Sequence, residues 1–183
     1  MSDRYGTHLP WLIKAVEATT GPVLELGIGA SSTPVLHRLC AQKGRLVVSY
    51  DSDSHYVEQY ANLYRHALHR FHWVSEWDNA DIERRWSVVL VDHRPARRRY
   101  VDAARVAEHA EYVICHDTEP ERDKFYKWAR AFKHYQFRFD DDGDPRTTIL
   151  SNFHSLDWLK GDGYEKGGSQ DDRETRVPHF PTG

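Results

Sequence analysis

The chain reads as an open α/β domain: a mostly parallel sheet with helices on both faces, ending in an antiparallel β-hairpin. Three observations predict this. Short apolar runs alternate with segments whose apolar residues recur at helical spacing. Four of the runs end at Gly27, Asp51, Asp92 and His116, polar or small residues that stop a buried strand. The last two runs flank an acidic turn that contains Asp-Gly, which is the pattern of a hairpin.

Each element follows in order. Leu9, Leu12, Ile13 and Val16 lie at i, i+3, i+4, i+7 and predict an N-terminal helix. Val23 to Leu26 follows a Gly-Pro break and leads, as a buried strand, into Gly27-Ile28-Gly29. Thr33-Pro34 offers an N-cap and a first-turn proline, with Val35, Leu36, Leu39 and Cys40 as the apolar face and Gly44 as the stop. Leu46 to Tyr50 is the second strand, and Val57, Tyr60, Ala61 and Tyr64 mark the next helix. Phe71 to Val74 is a weakly signalled third strand. Trp86 to Val91 is the strongest, followed by a helix with Tyr100, Ala103, Ala104 and Ala107. Glu111 to Cys115 is the fifth strand. Thr118-Glu119-Pro120-Glu121 has capping-box spacing ahead of a helix with Phe125, Trp128, Ala129 and Phe132. Tyr135, Phe137 and Phe139 then alternate with period two, and Thr147 to Leu150 completes the hairpin. The domain is expected over residues 1–158. A flexible tail is expected over 159–183, where five of the 11 glycines fall after Lys160 and no period survives.

Composition limits the function. Lys plus Arg is 25 against 28 for Asp plus Glu, a formal charge of −3, which provides no field for holding nucleic acid non-specifically. The longest aliphatic run, Val88 to Val91, is far too short to span a membrane. Met1 to Arg4 does not begin a basic-then-apolar leader, and Cys40 and Cys115 sit in apolar segments as free thiols, so a cytoplasmic protein is expected.

In an open α/β sheet the ligand sits beyond the C-terminal strand ends, where the winding reverses. The turn Gly27-Ile28-Gly29-Ala30-Ser31-Ser32 lets a ligand approach the backbone and aims the next helix's N–H groups at it. A dinucleotide fingerprint needs a third glycine, and Ser32 stands in its place. Asp51, at the end of the second strand, can accept both hydroxyls of a ribose. Asp53 or Ser54 is better placed to cap the following helix, which frees Asp51 for that task.

These residues resemble class I S-adenosylmethionine-dependent methyltransferases over about residues 8 to 155, through Leu24 to Gly29, the acidic second-strand end, the fourth-strand aspartate and the terminal hairpin. More narrowly, three segments are similar to a poorly characterised bacterial and phage branch of that family. They are Ser32-Thr33-Pro34-Val35-Leu36-His37, Val91-Asp92-His93-Arg94-Pro95 with Arg97-Arg98-Arg99, and Val113 to Thr118. The resemblance implies a Rossmann-like methyltransferase fold with S-adenosylmethionine (SAM) as cofactor. Gly27 and Gly29, with Ser31, would lie on the methionine moiety, Asp51 on the ribose, and Glu25 would orient the turn. Glu76 or Asp78 would hold the adenine amino group and Trp77 would stack on the ring, with Asp92 closing the cofactor site.

The fourth and fifth strands end in Asp92-His93 and His116-Asp117, so two carboxylates and two imidazoles are expected to share one mouth, on strands about 4.8 Å apart. His93 or His116, with Asp117, would act as general base on the acceptor. Alternatively these groups only position the substrate. A divalent metal on Asp92, Asp117 and a histidine is the less favoured option, because the Asp-Asn pair of catechol-type enzymes is missing. Arg94, Arg97, Arg98 and Arg99 read as a clamp for a carboxylate or phosphate on the substrate, since cations at a helix start oppose its dipole and need a reason.

The expected activity is methyl transfer to oxygen or nitrogen of a small or polar, anionic-leaning acceptor, without nucleic-acid or membrane partners. The alternatives are SAM cleavage, a non-catalytic SAM- or nucleoside-binding module whose oligomer meets through Trp11, Trp158 and Tyr164, and an NAD-dependent dehydrogenase. His66, His69 and His72 read as solvated. Asp140, Asp142 and Asp144 begin like a calcium loop, but Pro145 and Ser151 occupy its glycine and final carboxylate positions.

Overall fold

The computed structural model describes residues 6–160. Seven strands form one sheet in the order β3-β2-β1-β4-β5-β7-β6. They are β1 Val23–Leu26, β2 Val47–Asp51, β3 His69–Trp73, β4 Trp86–Val91, β5 Ala110–His116, β6 Phe137–Asp140 and β7 Thr147–Ser151. The first five are parallel, and the hairpin β6–β7 joins β5 antiparallel through β7. The expected open sheet with a terminal hairpin is therefore the observed one. Its winding reverses between β1 and β4, and this places the crevice beside Gly27 and Asp92.

Alternation along the strands sends side chains to two separate cores. On one face Leu24, Leu26, Val48, Val89, Val91, Val113 and Cys115 pack under Ala103 and Val106, and under Trp128 and Ala131. These four belong to or adjoin α4 (Arg99–Arg105) and α6 (Trp128–Phe132). On the other face Val23, Val47, Val88, Leu90, Tyr112 and Ile114 meet Leu12, Ala15 and Val16 of α1 (Leu9–Ala18) and Leu36 and Cys40 of α2 (Ser32–Gln42). β1 and β4 are buried on both faces, which is why both are mainly apolar, with Glu25 and Ser87 as the buried polar exceptions.

Several local expectations change. Helix α2 begins at Ser32 with Ser31 as N-cap, not at Thr33. Thr33 instead turns its hydroxyl back to Glu25 and accepts from the Gly29 N–H. No α-helix joins β3 to β4; a 3₁₀ turn at Trp77–Asn79 and Ile82 cover that stretch of sheet. The single helix expected around Phe125 and Phe132 is two, α5 (Asp123–Tyr126) and α6, because Lys127 adopts a left-handed φ of 56° between them. The capping-box side chains there make no cap. Between β2 and β3, α3 (Ser54–Leu63) is capped as expected by Asp53, whose carboxylate accepts from the His55 and Tyr56 N–H groups. At the C-terminal end, Leu156 and Leu159 are buried in the α1-side core, so packing runs one residue past the expected boundary at 158. The rest of the expected tail lies outside the described residues, with Tyr164. No helix among the described residues is long and apolar enough to cross a membrane.

Candidate active site

The β1 turn is held from behind by a buried carboxylate. Glu25, fully buried, accepts hydrogen bonds from the Ser32 hydroxyl at 2.6 Å, Thr33 at 2.9 Å and Ser49 at 2.5 Å. Burial raises its pKa to about 7 in spite of these donors. Ser49 also meets His69 Nε2 at 2.9 Å, and His69 Nδ1 lies 3.1 Å from His37 Nδ1, so a polar chain runs from beneath the turn to the edge of the sheet.

Gly27 has φ +103°, and a Cβ there would lie 2.7 Å from the Asp92 carbonyl and 2.8 Å from the His93 Cα. Only glycine lets the β1 and β4 ends approach this closely at the point where the winding reverses. Gly29 differs: a Cβ there would meet nothing within 4 Å. Its face is open space. Asp51 closes the turn from the β2 side, with Oδ2 accepting from the Ile28 N–H and Oδ1 from the Asp53 N–H, both at 2.8 Å. Each oxygen keeps a second lone pair, so the carboxylate is fixed in place while still able to accept hydroxyl donors. Ser31 flanks the same turn, partly exposed.

At the β4 and β5 ends the register sets the partners. Val91 is opposite Cys115, so Asp92 comes beside His116. Asp92 Oδ2 is 3.3 Å from His116 Nδ1, and Asp92 Oδ1 is 2.9 Å from the Arg99 guanidinium. Arg99 also pairs with Asp117 at 2.8 Å and donates to the carbonyls of His93, His116 and Asp92. Asp117 has φ 58°. This tight backbone bend turns its carboxylate towards Arg99 and the Tyr126 hydroxyl. Burial pulls the His116 pKa down, but the hydrogen bond and charge of Asp92 outweigh it and the net direction is up. For Asp92 burial pushes up, while the His116 bond and Arg99 charge prevail and lower it.

The sequence did not single out two members of this cluster. Arg99 reads in the sequence like Arg94, Arg97 and Arg98, yet it is the buried one that ties both carboxylates together. His8, at the N-cap of α1, lies with its ring centroid 4.7 Å from that of His116 and is 1% exposed. Burial, then the nearness of His116, lowers its pKa to about 4.

Four expected site residues are engaged by neighbouring groups. His93 does not share the mouth: one residue past Asp92, strand alternation turns it to the α4 face. There its Nε2 is 3.1 Å from the fully buried Asp102, and its ring stacks on Trp77 at 3.9 Å. Trp77 is 4% exposed, stacked on His93 and bonded to the Arg94 carbonyl, so its ring is not free to stack on a base. Arg98 is no open clamp, being paired with Asp102 and Asp78; Asp78 is held by the same bond. Arg94 and Arg97 remain exposed, and Arg97 makes no hydrogen bond or ion pair among the described residues. Glu76 is exposed beside Ser52.

Two cavities adjoin these groups and share Pro95 and Arg97. One, of about 490 Å³, is bordered by Ser52, Ser75, Glu76 and Tyr100, next to the β2 and β3 ends. The other, of about 550 Å³, is bordered by Arg122, Phe125 and Tyr126, on the Asp117 side.

No family model and no curated protein matches the chain. Solved structures do. The chain is similar to N-methyltransferase NodS from Bradyrhizobium japonicum WM9 in complex with S-adenosyl-L-homocysteine (SAH), at 7% identity and TM-score 0.56, over 78% of this chain and 83% of that one. It is similar to the methyltransferase domain of bacterial CtHen1-CN, at 13% identity and TM-score 0.59, over 81% and 100%. An RNA methyltransferase from Salinibacter ruber with SAH matches at 18% identity and TM-score 0.50, over 80% and 93%. At these identities the likeness establishes the fold, a Rossmann-like fold found in methyltransferases.

Proposed function

We propose that the protein is a SAM-dependent methyltransferase acting on oxygen or nitrogen of a small, polar acceptor. The observation that carries this reading is the β1–β2 turn at the winding reversal. Gly29 faces open space, Gly27 admits no side chain, and Asp51 is fixed by two backbone N–H groups with lone pairs to spare. Bound SAH in two structures of the same fold supports the choice of cofactor. The finer resemblance, to a bacterial and phage branch, rests on the three sequence motifs around Thr33, Asp92 and His116.

In this reading Gly27, Gly29 and Ser31 border the amino-acid end of SAM, Asp51 takes the ribose hydroxyls, and Glu76 lies on the base side. Bound SAM supplies a methyl group on a sulfonium, ready for in-line transfer. The chain's own part is to bind, orient and exclude water. Asp92, His116 and Asp117, at the ends of β4 and β5, are the groups that would hold the acceptor and take its proton. Arg97, without a partner among the described residues, is the cation that would meet an anionic acceptor, with Arg94 nearby in sequence and Arg122 also lining the second cavity.

Calorimetric titration with SAM, SAH and NAD tests the cofactor. Binding of SAM and SAH but not NAD is expected, and Asp51→Ala should weaken SAM by roughly 10- to 100-fold, the loss of charge-assisted hydrogen bonds. Absence of heat at millimolar SAM would end the proposal. SAM breaking down on the enzyme without acceptor would replace transfer with cleavage.

A further inference from the structure

The Asp92–His116 cluster contains a contradiction that a cation resolves. Thr7 Oγ lies 2.8 Å from the Pro145 carbonyl and 3.0 Å from His116 Nε2. A carbonyl only accepts, so the Thr7 proton is spent on Pro145 and the Thr7 oxygen must accept from His116 Nε2–H. The network thereby assigns the tautomer: neutral His116 presents a bare lone pair at Nδ1. That lone pair faces Asp92 Oδ2, another acceptor, 3.3 Å away. Two lone pairs at that distance call for a proton or a metal ion between them.

The third wall of the cluster decides between the two. Both ring nitrogens of His8 are buried and have no hydrogen-bond partner among the described residues, although the side chain is 1% exposed. Leaving a buried polar atom unpaired costs about 1–3 kcal/mol, so two on one ring need a reason. A proton shared by Asp92 and His116 does nothing for His8. One ligand atom each from His8, Asp92 and His116, however, lie within 4.8 Å of one another.

We propose that His8, Asp92 and His116 bind a divalent first-row transition-metal ion. Two imidazole nitrogens with one carboxylate oxygen suit zinc, manganese, iron or cobalt, whereas magnesium and calcium favour all-oxygen shells. The surrounding contacts are those that hold metal ligands in place: Thr7 fixes His116 through its other nitrogen, and Arg99 occupies Asp92 Oδ1 so that Oδ2 points inward. Three protein ligands leave coordination positions open, the mark of a reactive site as opposed to a purely structural one. The ion site does not depend on the methyltransferase reading. Its use does: resting on that reading, the open positions would take an acceptor hydroxyl and lower its pKa so that its proton leaves to solvent, with His116 a ligand in place of the base, which makes the acceptor atom oxygen.

The test uses the full chain without an affinity tag, stripped by chelator and dialysed. Calorimetry with zinc and visible absorption with cobalt should both show one ion per chain, with magnesium in excess displacing neither. His8→Gln and Asp92→Asn should each weaken binding more than about 100-fold, and Thr7→Val by about 10-fold, the usual effect of losing an orienting partner. The histidines around His37 form another imidazole cluster, so a His37→Gln, His66→Gln double variant should retain full binding. For a readout that needs no variant to fold, the cobalt protein should show paramagnetically shifted proton signals from two imidazoles. The proposal is overturned by no cobalt or zinc uptake at millimolar ion, by signals from any other number of imidazoles, or by unchanged binding in folded His8→Gln. SAM affinity of the stripped protein, measured separately, reports on the methyltransferase reading alone.

Discussion

His93 and His116 leave neighbouring strands at nearly the same height, each next to an aspartate, and have opposite fates. His116 follows Cys115, an α4-side core residue, and so turns to the α1 face, where Asp92, Thr7 and His8 stand. His93 lies two residues after Val91, so it turns to the α4 face and is locked between Asp102 and Trp77. Side-chain parity along the strand, more than residue type, decides which imidazole faces Asp92 and His8 and which is locked into the framework.

The strongest way to break that comparison is at Asp102, which is fully buried and faces His93, Arg98 and Arg105. Asp102→Ala leaves these groups without their anion and should cost about 3–5 kcal/mol of unfolding free energy, read by chemical denaturation. His116→Asn, on the other side of the same strands, should cost far less stability while abolishing transfer. Equal stability losses would erase the distinction.

A second prediction extends the contrast to the buried carboxylate of β1. The folded pKa of Glu25 is about 7 against an ordinary 4.5, so between those values the folded state keeps a proton that the unfolded chain has lost. Its contribution is therefore greatest below pH 4.5 and falls as pH rises to 7, by up to about 3 kcal/mol. Denaturation midpoints across that window should decline more steeply for the wild type than for Glu25→Gln. Parallel pH profiles would mean that Glu25 is ionised in the fold at all these pH values.

The smallest effect separates two adjacent arginines. Arg97→Ala should raise the acceptor KM about tenfold, the worth of one exposed guanidinium–anion contact, with SAM affinity unchanged. Arg98→Ala should act on stability, through Asp102, and not on KM. An unchanged KM in Arg97→Ala removes the clamp.

The sheet was legible because parallel strands buried on both faces must be mainly apolar, as Val23–Leu26 and Trp86–Val91 are apart from Glu25 and Ser87. So were the glycine turn and Asp51, which are close to each other through β1 and β2. The β4–β5 mouth was only half legible. Spacing along the chain showed that two His–Asp pairs end adjacent strands, but not the register that places Asp92 beside His116 and buries His93. His8 carried no local signal at all: it joins the cluster only because α1 packs on the β4–β5 side of the sheet. Arg99 was hidden among Arg94, Arg97 and Arg98, and only burial distinguishes it.

The central claim is that the β1–β2 end of the crevice holds the nucleoside. The amide spectrum of ¹⁵N-labelled protein titrated with SAH tests it most directly. The largest shifts should fall on Gly27 to Ser32, Asp51 to Asp53 and Ser75 to Asp78, with His109 and Asn152, at the opposite end of the sheet, unmoved. A spectrum unchanged at saturating SAH, or shifts confined to residues away from that turn, would contradict it.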